Sequence, residues 1–273
     1  MIHDESAPRV LREKALEWAK AAKTLPMLTG MMKQVFKTIA DADSSLAQLY
    51  DVVKYDHAIS AKIISIANSA YYSRGTSITS LERAMITVGL REIKRIIVCM
   101  VFLRSIMTPW KLGQDDVAAL WIHSLTVAHA ARTLAEKMIA DDPEEVFTIS
   151  ILHDIGKVIF YALSDRYRGL ANEASLVAQD VCGLERDEYG IDHQEVGHHV
   201  SIAWGFPEEF SEAILTHHSR HDGKASIIDI VRDADAFVCG RHGSVPEKET
   251  AVLQNEKDRI MSETERIRRL VGV

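Results

Sequence analysis

Apolar residues recur along this chain at steps of three and four, and strictly alternating runs are scarce, so the pattern predicts helices rather than strands. Residues 10–23, rich in Leu, Ala, Glu and Lys, read as a first amphipathic helix, which Leu25-Pro26 breaks because the residue before a proline avoids the helical region. Met27 to Ile39 carries the next periodic stretch. Asp41 to Ser45 is a polar break supplying N-cap candidates, and Leu46 to Tyr55 resumes the pattern. Ile59 to Asn68 puts Ile63, Ile66 and Ala67 on one face, Arg74-Gly75-Thr76 reads as a turn, and Ser80–Thr87 and Leu90–Leu103 are joined at Gly89. Pro109 to Gln114 is the best internal boundary. Beyond it, helices are expected over 116–139, 143–162 and 166–180, then a loop around Cys182-Gly183, then helices over 192–204, 207–218 and 224–240. From Val245 the chain is charged and poor in large apolar residues, which suggests a surface or terminal helix. No repeat of 20–50 residues is visible. The expectation is an all-α protein: an N-terminal helix (1–24), a helical lobe (25–112), a second helical lobe (113–245) and a charged tail (246–273).

Composition narrows the class. The chain has 273 residues, 47% hydrophobic and 26% charged, which is enough apolar material for a sizeable core and excludes disorder throughout. A net charge of −7 argues against a strongly basic nucleic-acid binder. Cys99, Cys182 and Cys239 stand far apart, with no CxxC, as expected of a reducing cytosol. The charged N-terminus shows no apolar signal region, and the most apolar stretch, Ile93 to Met107, is too short and too charged to span a bilayer. The twelve histidines change the picture most: ten of them fall between His123 and His242. Imidazoles concentrated in one half of an acidic chain suggest a metal site there.

The sharpest element is Ile151-Leu152-His153-Asp154-Ile155-Gly156-Lys157, where two polar side chains sit on a helix otherwise made of Ile, Leu, Val and Phe. Desolvated polar groups need a compensating partner. A divalent cation supplies one, and the two oxygens of a carboxylate can bridge two ions. Taken alone, such a pair is more often a satisfied core histidine beside a surface aspartate. The pair is not alone: His123 lies upstream, and His193, the pair His217-His218 and the stretch Asp233-Ala234-Asp235-Ala236-Phe237 lie downstream.

This order resembles the HD superfamily of metal-dependent phosphohydrolases, whose pattern of a His, a His-Asp pair and a later Asp on successive helices is matched by His123, His153, Asp154 and Asp235. Asp235 is preferred to Asp233 because Asp-Ala-Phe follows the family pattern. His193, with a glycine four residues on, and His217-His218, followed by His221-Asp222-Gly223, resemble the HD-GYP branch, in which extra histidines hold a second metal. After Asp222-Gly223, however, the chain reads Lys224-Ala225-Ser226, so the Gly-Tyr-Pro element is missing, which argues against cyclic-di-GMP hydrolysis. Ala119 stands where that branch has an acidic ligand, which argues against a third metal. In the first half, Leu25-Pro26, the stretch Asp56 to Tyr71 and Ile78-Thr79-Ser80-Leu81-Glu82-Arg83-Ala84-Met85-Ile86-Thr87-Val88-Gly89 resemble the HDOD domain, the HD-related output domain of bacterial signalling. That resemblance covers roughly residues 20–225.

The resemblance implies a metal set of His123, His153, Asp154, His193, His217, His218 and Asp235. Two divalent ions would share Asp154, and Lys157 would hold a phosphate oxygen unless it forms a helix salt bridge instead. Ligands without thiolate favour iron or manganese, with zinc, nickel or cobalt also compatible. The expected activity is hydrolysis of a phosphoester or phosphodiester in a phosphorylated small molecule or nucleotide. The rival expectation is a non-catalytic signalling module with a structural or vestigial metal, whose N-terminal lobe binds a protein partner; many HDOD members have lost ligands, and this chain retains them. Outside the set, His129 reads as structural, His198 and His199 need not face the site, and Asn68 reads as a polar contact at a helix end. Arg91, Lys94 and Arg95 read as a small solvated basic face.

Overall fold

The computed structural model describes residues 12–17, 19, 31–41, 43–73, 75, 77–107, 113–138, 142–176, 181–219 and 226–272. These residues are all-α, with no strand among them. The expected breaks at Leu25-Pro26 and Pro109, and the segment from His221 to Ala225, lie outside the described residues.

In the first half the helices Met31–Ala40, Leu46–Val53, His57–Ala67, Leu81–Val88 and Leu90–Val101 follow one another, and a π-helical turn, Phe102–Met107, closes the series. Their starts are set by short polar side chains. Ser45 and Gln48 form a capping box, Asp56 accepts from the amides of Ala58 and Ile59, and Ser80 accepts from Arg83. Gly89, at φ 91°, joins the last two helices in a conformation that a side chain would strain. Asn68 stitches a helix end to the following segment: its amide donates to the carbonyls of Ile64 and Ile78 and accepts from the Ile78 amide.

The second half is built on the long helix Gln114–Met138, against which Pro143–Leu152, Ile227–Val238 and Lys257–Val271 pack. One apolar cluster draws on both halves, with Phe36, Ile96, Trp121, Phe147, Phe210 and Val231 all buried within it. A second gathers Val127, Leu134, Ile230, Phe237, Leu253 and Ile260.

Three local expectations need correction, and the tail is helical as expected but divided in two. The stretch expected as one helix over 143–162 is two, Pro143–Leu152 and Ile155–Leu163, interrupted at His153 and Asp154. Cys182-Gly183 does not form a loop but opens a helix, Cys182–Tyr189, which ends at Gly190 with φ 69°. Of the expected basic face only Arg91 is exposed. Lys94 is buried and donates to the carbonyls of Ile39 and Asp41, closing the end of Met31–Ala40, and Arg95 is buried between Glu92 and Glu144. The tail forms two helices, Glu247–Asn255 and Lys257–Val271. Leu253, Ile260 and Ile267 face inward and are buried, whereas Met261 lies on the exposed side with most of the charged residues.

Candidate metal centre

Five segments deliver side chains to one cluster. His123 comes from the long helix Gln114–Met138, and His153 and Asp154 come from the interruption between two helices. His193 is the first residue of His193–Trp204, behind a capping box of Asp192 and Glu195. His217 and His218 follow Glu208–Thr216, and Asp235 belongs to Ile227–Val238. The interruption has a local cause: the Ser150 carbonyl takes both the His153 amide, at 3.5 Å, and its Nδ1, at 2.6 Å. Two glycines then bring the halves of the site together. A Cβ on Gly156 would lie 1.9 Å from the His193 carbonyl oxygen, and one on Gly197 would lie 2.8 Å from Ile214. The backbones of Ile155–Leu163 and His193–Trp204 therefore approach as only glycine allows.

The donors form two groups. His123, His153 and Asp235 offer atoms within 4.8 Å of one another, and so do Asp154, His193, His217 and His218. Asp154 faces both groups. Its Oδ2 stands 3.1 Å from His123 Nε2 and 3.3 Å from His153 Nε2, and its Oδ1 stands 3.3 Å from His193 Nε2 and 3.7 Å from His217 Nε2. Asp235 Oδ1 lies 3.2 Å from His123 Nε2, and His218 Nδ1 lies 4.0 Å from Asp235 Oδ2. The structure thus brings together all seven side chains of the expected set.

The ring tautomers define what this cluster can hold. Nδ1 of His153 donates to Ser150 O, Nδ1 of His217 donates to Ile214 O at 2.9 Å, and Nδ1 of His193 lies 2.6 Å from the Glu185 carboxylate. In the neutral rings, Nε2 is then the lone-pair atom, and three such atoms converge on carboxylate oxygens. Nε2 of His123 and His153 and Oδ1 of Asp154 are buried without a hydrogen-bond partner. His193 Nε2 and His217 Nε2 also face each other at 3.3 Å, close enough for a proton on one to be shared with the other, and a cation between these nitrogens and the Asp154 carboxylate would satisfy all of them at once.

In its metal-free form the site balances charge by other means. Burial works against a charged His153, but the Asp154 carboxylate overrides it and raises this pKa to about 9. Burial pushes His217 down to about 4. Asp154 stays ionised well below the usual carboxylate range: burial opposes this, and the charges of His153 and Lys157 prevail. Lys157 Nζ donates to Asp154 Oδ2 at 2.6 Å, and Arg241 donates to Asp235 Oδ2 at 2.6 Å.

A cleft of about 230 Å³ opens over this cluster, lined among others by Lys157, Tyr161, Asn172, Cys239 and Arg241. Ala119 lines it without offering a ligand. The other candidates lie elsewhere. His129 is buried edge-on against Phe147, and burial drives its pKa well down. His198 Nδ1 faces the Ser211 carbonyl, His199 is exposed, and Asp233 binds Arg232. Arg241, Cys239 and Glu185 were not expected from the sequence: Arg241 and Cys239 follow Asp235 with no recognisable spacing, and Glu185 fell in the segment read as loop.

A sequence profile of the HDOD domain matches residues 25–220. The chain belongs to the HDOD family. No curated protein sequence matches it significantly. Among solved structures, an HDOD domain protein of unknown function from Geobacter sulfurreducens superposes with a TM-score of 0.71 at 22% identity, over 96% of this chain and 99% of that one. A Marinobacter aquaeolei protein described as a candidate signal transduction protein gives 0.73 at 16% identity, over 98% of this chain and 65% of that one. A Shewanella amazonensis protein described as a candidate metal-dependent phosphohydrolase gives 0.53 at 19% identity, over 96% and 99%. At these identities the likeness concerns the fold. No helix among the described residues of this HDOD chain is long and apolar enough to cross a membrane.

Proposed function

We propose that this HDOD protein hydrolyses a phosphoester or phosphodiester, in a small phosphorylated molecule or nucleotide, at a dinuclear divalent-metal centre. The observation that carries the reading is the convergence of Nε2 lone pairs from His153, His193 and His217 on the two oxygens of one buried carboxylate, Asp154. His123, His153 and Asp235 would hold one ion and His193, His217 and His218 the other, with Asp154 shared. When bound, such ions withdraw charge from a phosphoryl group and make water nucleophilic at neutral pH. The chain supplies the rest. Burial keeps the Asp154 and Asp235 carboxylates oriented. Lys157 forms the helix salt bridge to Asp154, and Arg241 pairs with Asp235; once metals take those carboxylates, both side chains on the cleft wall would be available to phosphoryl oxygens and to the negative charge that grows on them during transfer. With a net charge of −7, attraction for an anionic substrate rests on these local cations and the metals. The three cysteines form no disulfide, which suits the cytosol.

A second reading, a non-catalytic signalling module, is favoured by two observations. Lys157 and Arg241 already neutralise Asp154 and Asp235 from within the chain. The first half also leaves Tyr55, Tyr71 and Ile86 exposed for a partner. The deciding experiment is metal analysis of protein purified without chelator, followed by a phosphodiesterase and nucleotidase panel on wild type and Asp154→Ala. The enzyme reading expects bound transition metal, and turnover that disappears in the variant. Absence of metal, or turnover unchanged by Asp154→Ala, would overturn it; metal without turnover would favour the module.

A further inference from the structure

Glu185 is fully buried, and among the described residues it pairs with no lysine or arginine. Such a carboxylate is costly unless hydrogen bonds take up its oxygens. Here one residue takes most of them. Glu185 Oε2 accepts from the backbone amide of His193 at 2.8 Å and lies 2.6 Å from His193 Nδ1. Oε1 accepts from the hydroxyl of Tyr167, a fully buried ring stacked on Phe160 at 5.2 Å between centroids. Cys182, Glu185 and His193 are close enough together to resemble a donor set of their own. The 2.6 Å separation between Glu185 and Nδ1 is filled by a proton, however, and Cys182 Sγ stands 3.9 Å from that nitrogen, so a hydrogen-bonded carboxylate–imidazole pair accounts for the geometry. Of the seven side chains assigned to the metal centre, Glu185 bonds His193 alone.

We propose that Glu185, held by Tyr167, is a positioning residue for His193: it keeps Nδ1 protonated and aims the Nε2 lone pair at Asp154 Oδ1, so that the second cation site depends on a side chain that is not a ligand. This rests on the metal-centre reading above. A carboxylate behind a metal-bound imidazole fixes the ring and strengthens it as a donor, and losing one weakens metal binding about 10–100-fold. The helix Cys182–Tyr189 therefore serves the site although no residue of it need touch an ion.

The test uses full-length protein and Mn²⁺ alone, titrated calorimetrically into wild type, Glu185→Gln, Tyr167→Phe, His193→Ala and the Glu185→Gln/His193→Ala double variant. Gln is nearly isosteric with Glu and can still accept from His193, and melts of the metal-free proteins check that each variant folds. The expected result is two ions on wild type. Glu185→Gln should keep one at wild-type affinity and bind the other about 10–100-fold more weakly, with a smaller loss in Tyr167→Phe. On the His193→Ala background, Glu185→Gln should change nothing further. Equal weakening of both ions, unchanged binding, or a full additional loss in the double variant would overturn the proposal. A second measurement needs no metal: ¹⁵N spectra of the metal-free wild type should show His193 protonated on Nδ1, with Nε2 protonation growing in Glu185→Gln. A wild-type ring protonated on Nε2 refutes the proposal whatever the metal result. A wild type that binds no Mn²⁺ refutes the metal-centre reading instead, and the spectra still decide whether Glu185 sets the His193 tautomer.

Discussion

Gly156→Ala adds one methyl group where two helices cross, and the structure fixes what that methyl meets. Its Cβ would lie 1.9 Å from the His193 carbonyl oxygen and 2.8 Å from both the His193 carbonyl carbon and the Gly197 amide nitrogen. Ordinary contact begins at 3.4 Å, so the Ile155–Leu163 and His193–Trp204 backbones must separate by about 1.5 Å, and no flexible side chain is there to give way. Overpacking a core costs about 1–3 kcal/mol, and a backbone obstruction places this variant at the upper end, about 3 kcal/mol. At about 2–4 °C per kcal/mol, the melting temperature should fall by about 6–12 °C. The same displacement pulls His193 away from Asp154, now 3.3 Å apart, so metal binding should weaken at the second group more than at the first. Gly169→Ala is the control: it lies within Tyr167–Leu176 with nothing within 4 Å of the added methyl, and it should be neutral or stabilise by about 0.5–1 kcal/mol. Calorimetric melts and Mn²⁺ titrations of the two variants provide the assay. A Gly156→Ala protein with wild-type melting temperature and both ions bound at wild-type affinity would refute the close-crossing argument.

Other perturbations test other parts of the molecule. Mn²⁺ at a hundred times its dissociation constant should stabilise the wild type against urea by about 2.7 kcal/mol for each ion bound, reversibly with chelator, and should leave Asp154→Ala unmoved. Arg266→Ala removes a 2.5 Å bond to the buried Glu92, which keeps Arg95, and should cost about 1–3 kcal/mol at neutral pH. Burial works against an ionised Glu92, but Arg266 and Arg95 hold its pKa below the ordinary 4.5. Its contribution is therefore complete above about pH 4.5 and fades as pH falls through the lower folded-state value, so urea midpoints of wild type and Arg266→Ala should converge in acid. Lys94→Met leaves the carbonyls of Ile39 and Asp41 without their buried donor and should cost about 1–3 kcal/mol in the same titration, whereas a solvated lysine would cost nothing measurable.

Much of this protein can be read without its structure. Helix periodicity and short polar caps such as Ser45, Asp56 and Ser80 locate most helices within a few residues, because both signals are local. The ordered His and Asp motifs name the seven side chains that cluster in the second half, because each carries its own helical context. The misses are of a different kind. The break at His153-Asp154 depends on one carbonyl accepting two donors, which periodicity does not encode. Lys94 and Arg95 look solvated until the carbonyls and carboxylates that receive them are folded against them.

By itself, then, the sequence determined an all-α chain with a histidine–aspartate constellation in its second half, since periodicity, capping and motif order belong to neighbours in the chain. Tertiary structure alone decided that Asp154 turns one oxygen to each group of histidines, that Gly156 and Gly197 let two helices close the site, and that Glu185 and Arg241 join it. Those roles are fixed by contacts between segments distant along the chain or outside any recognisable spacing, and only the packed core brings them within hydrogen-bonding distance.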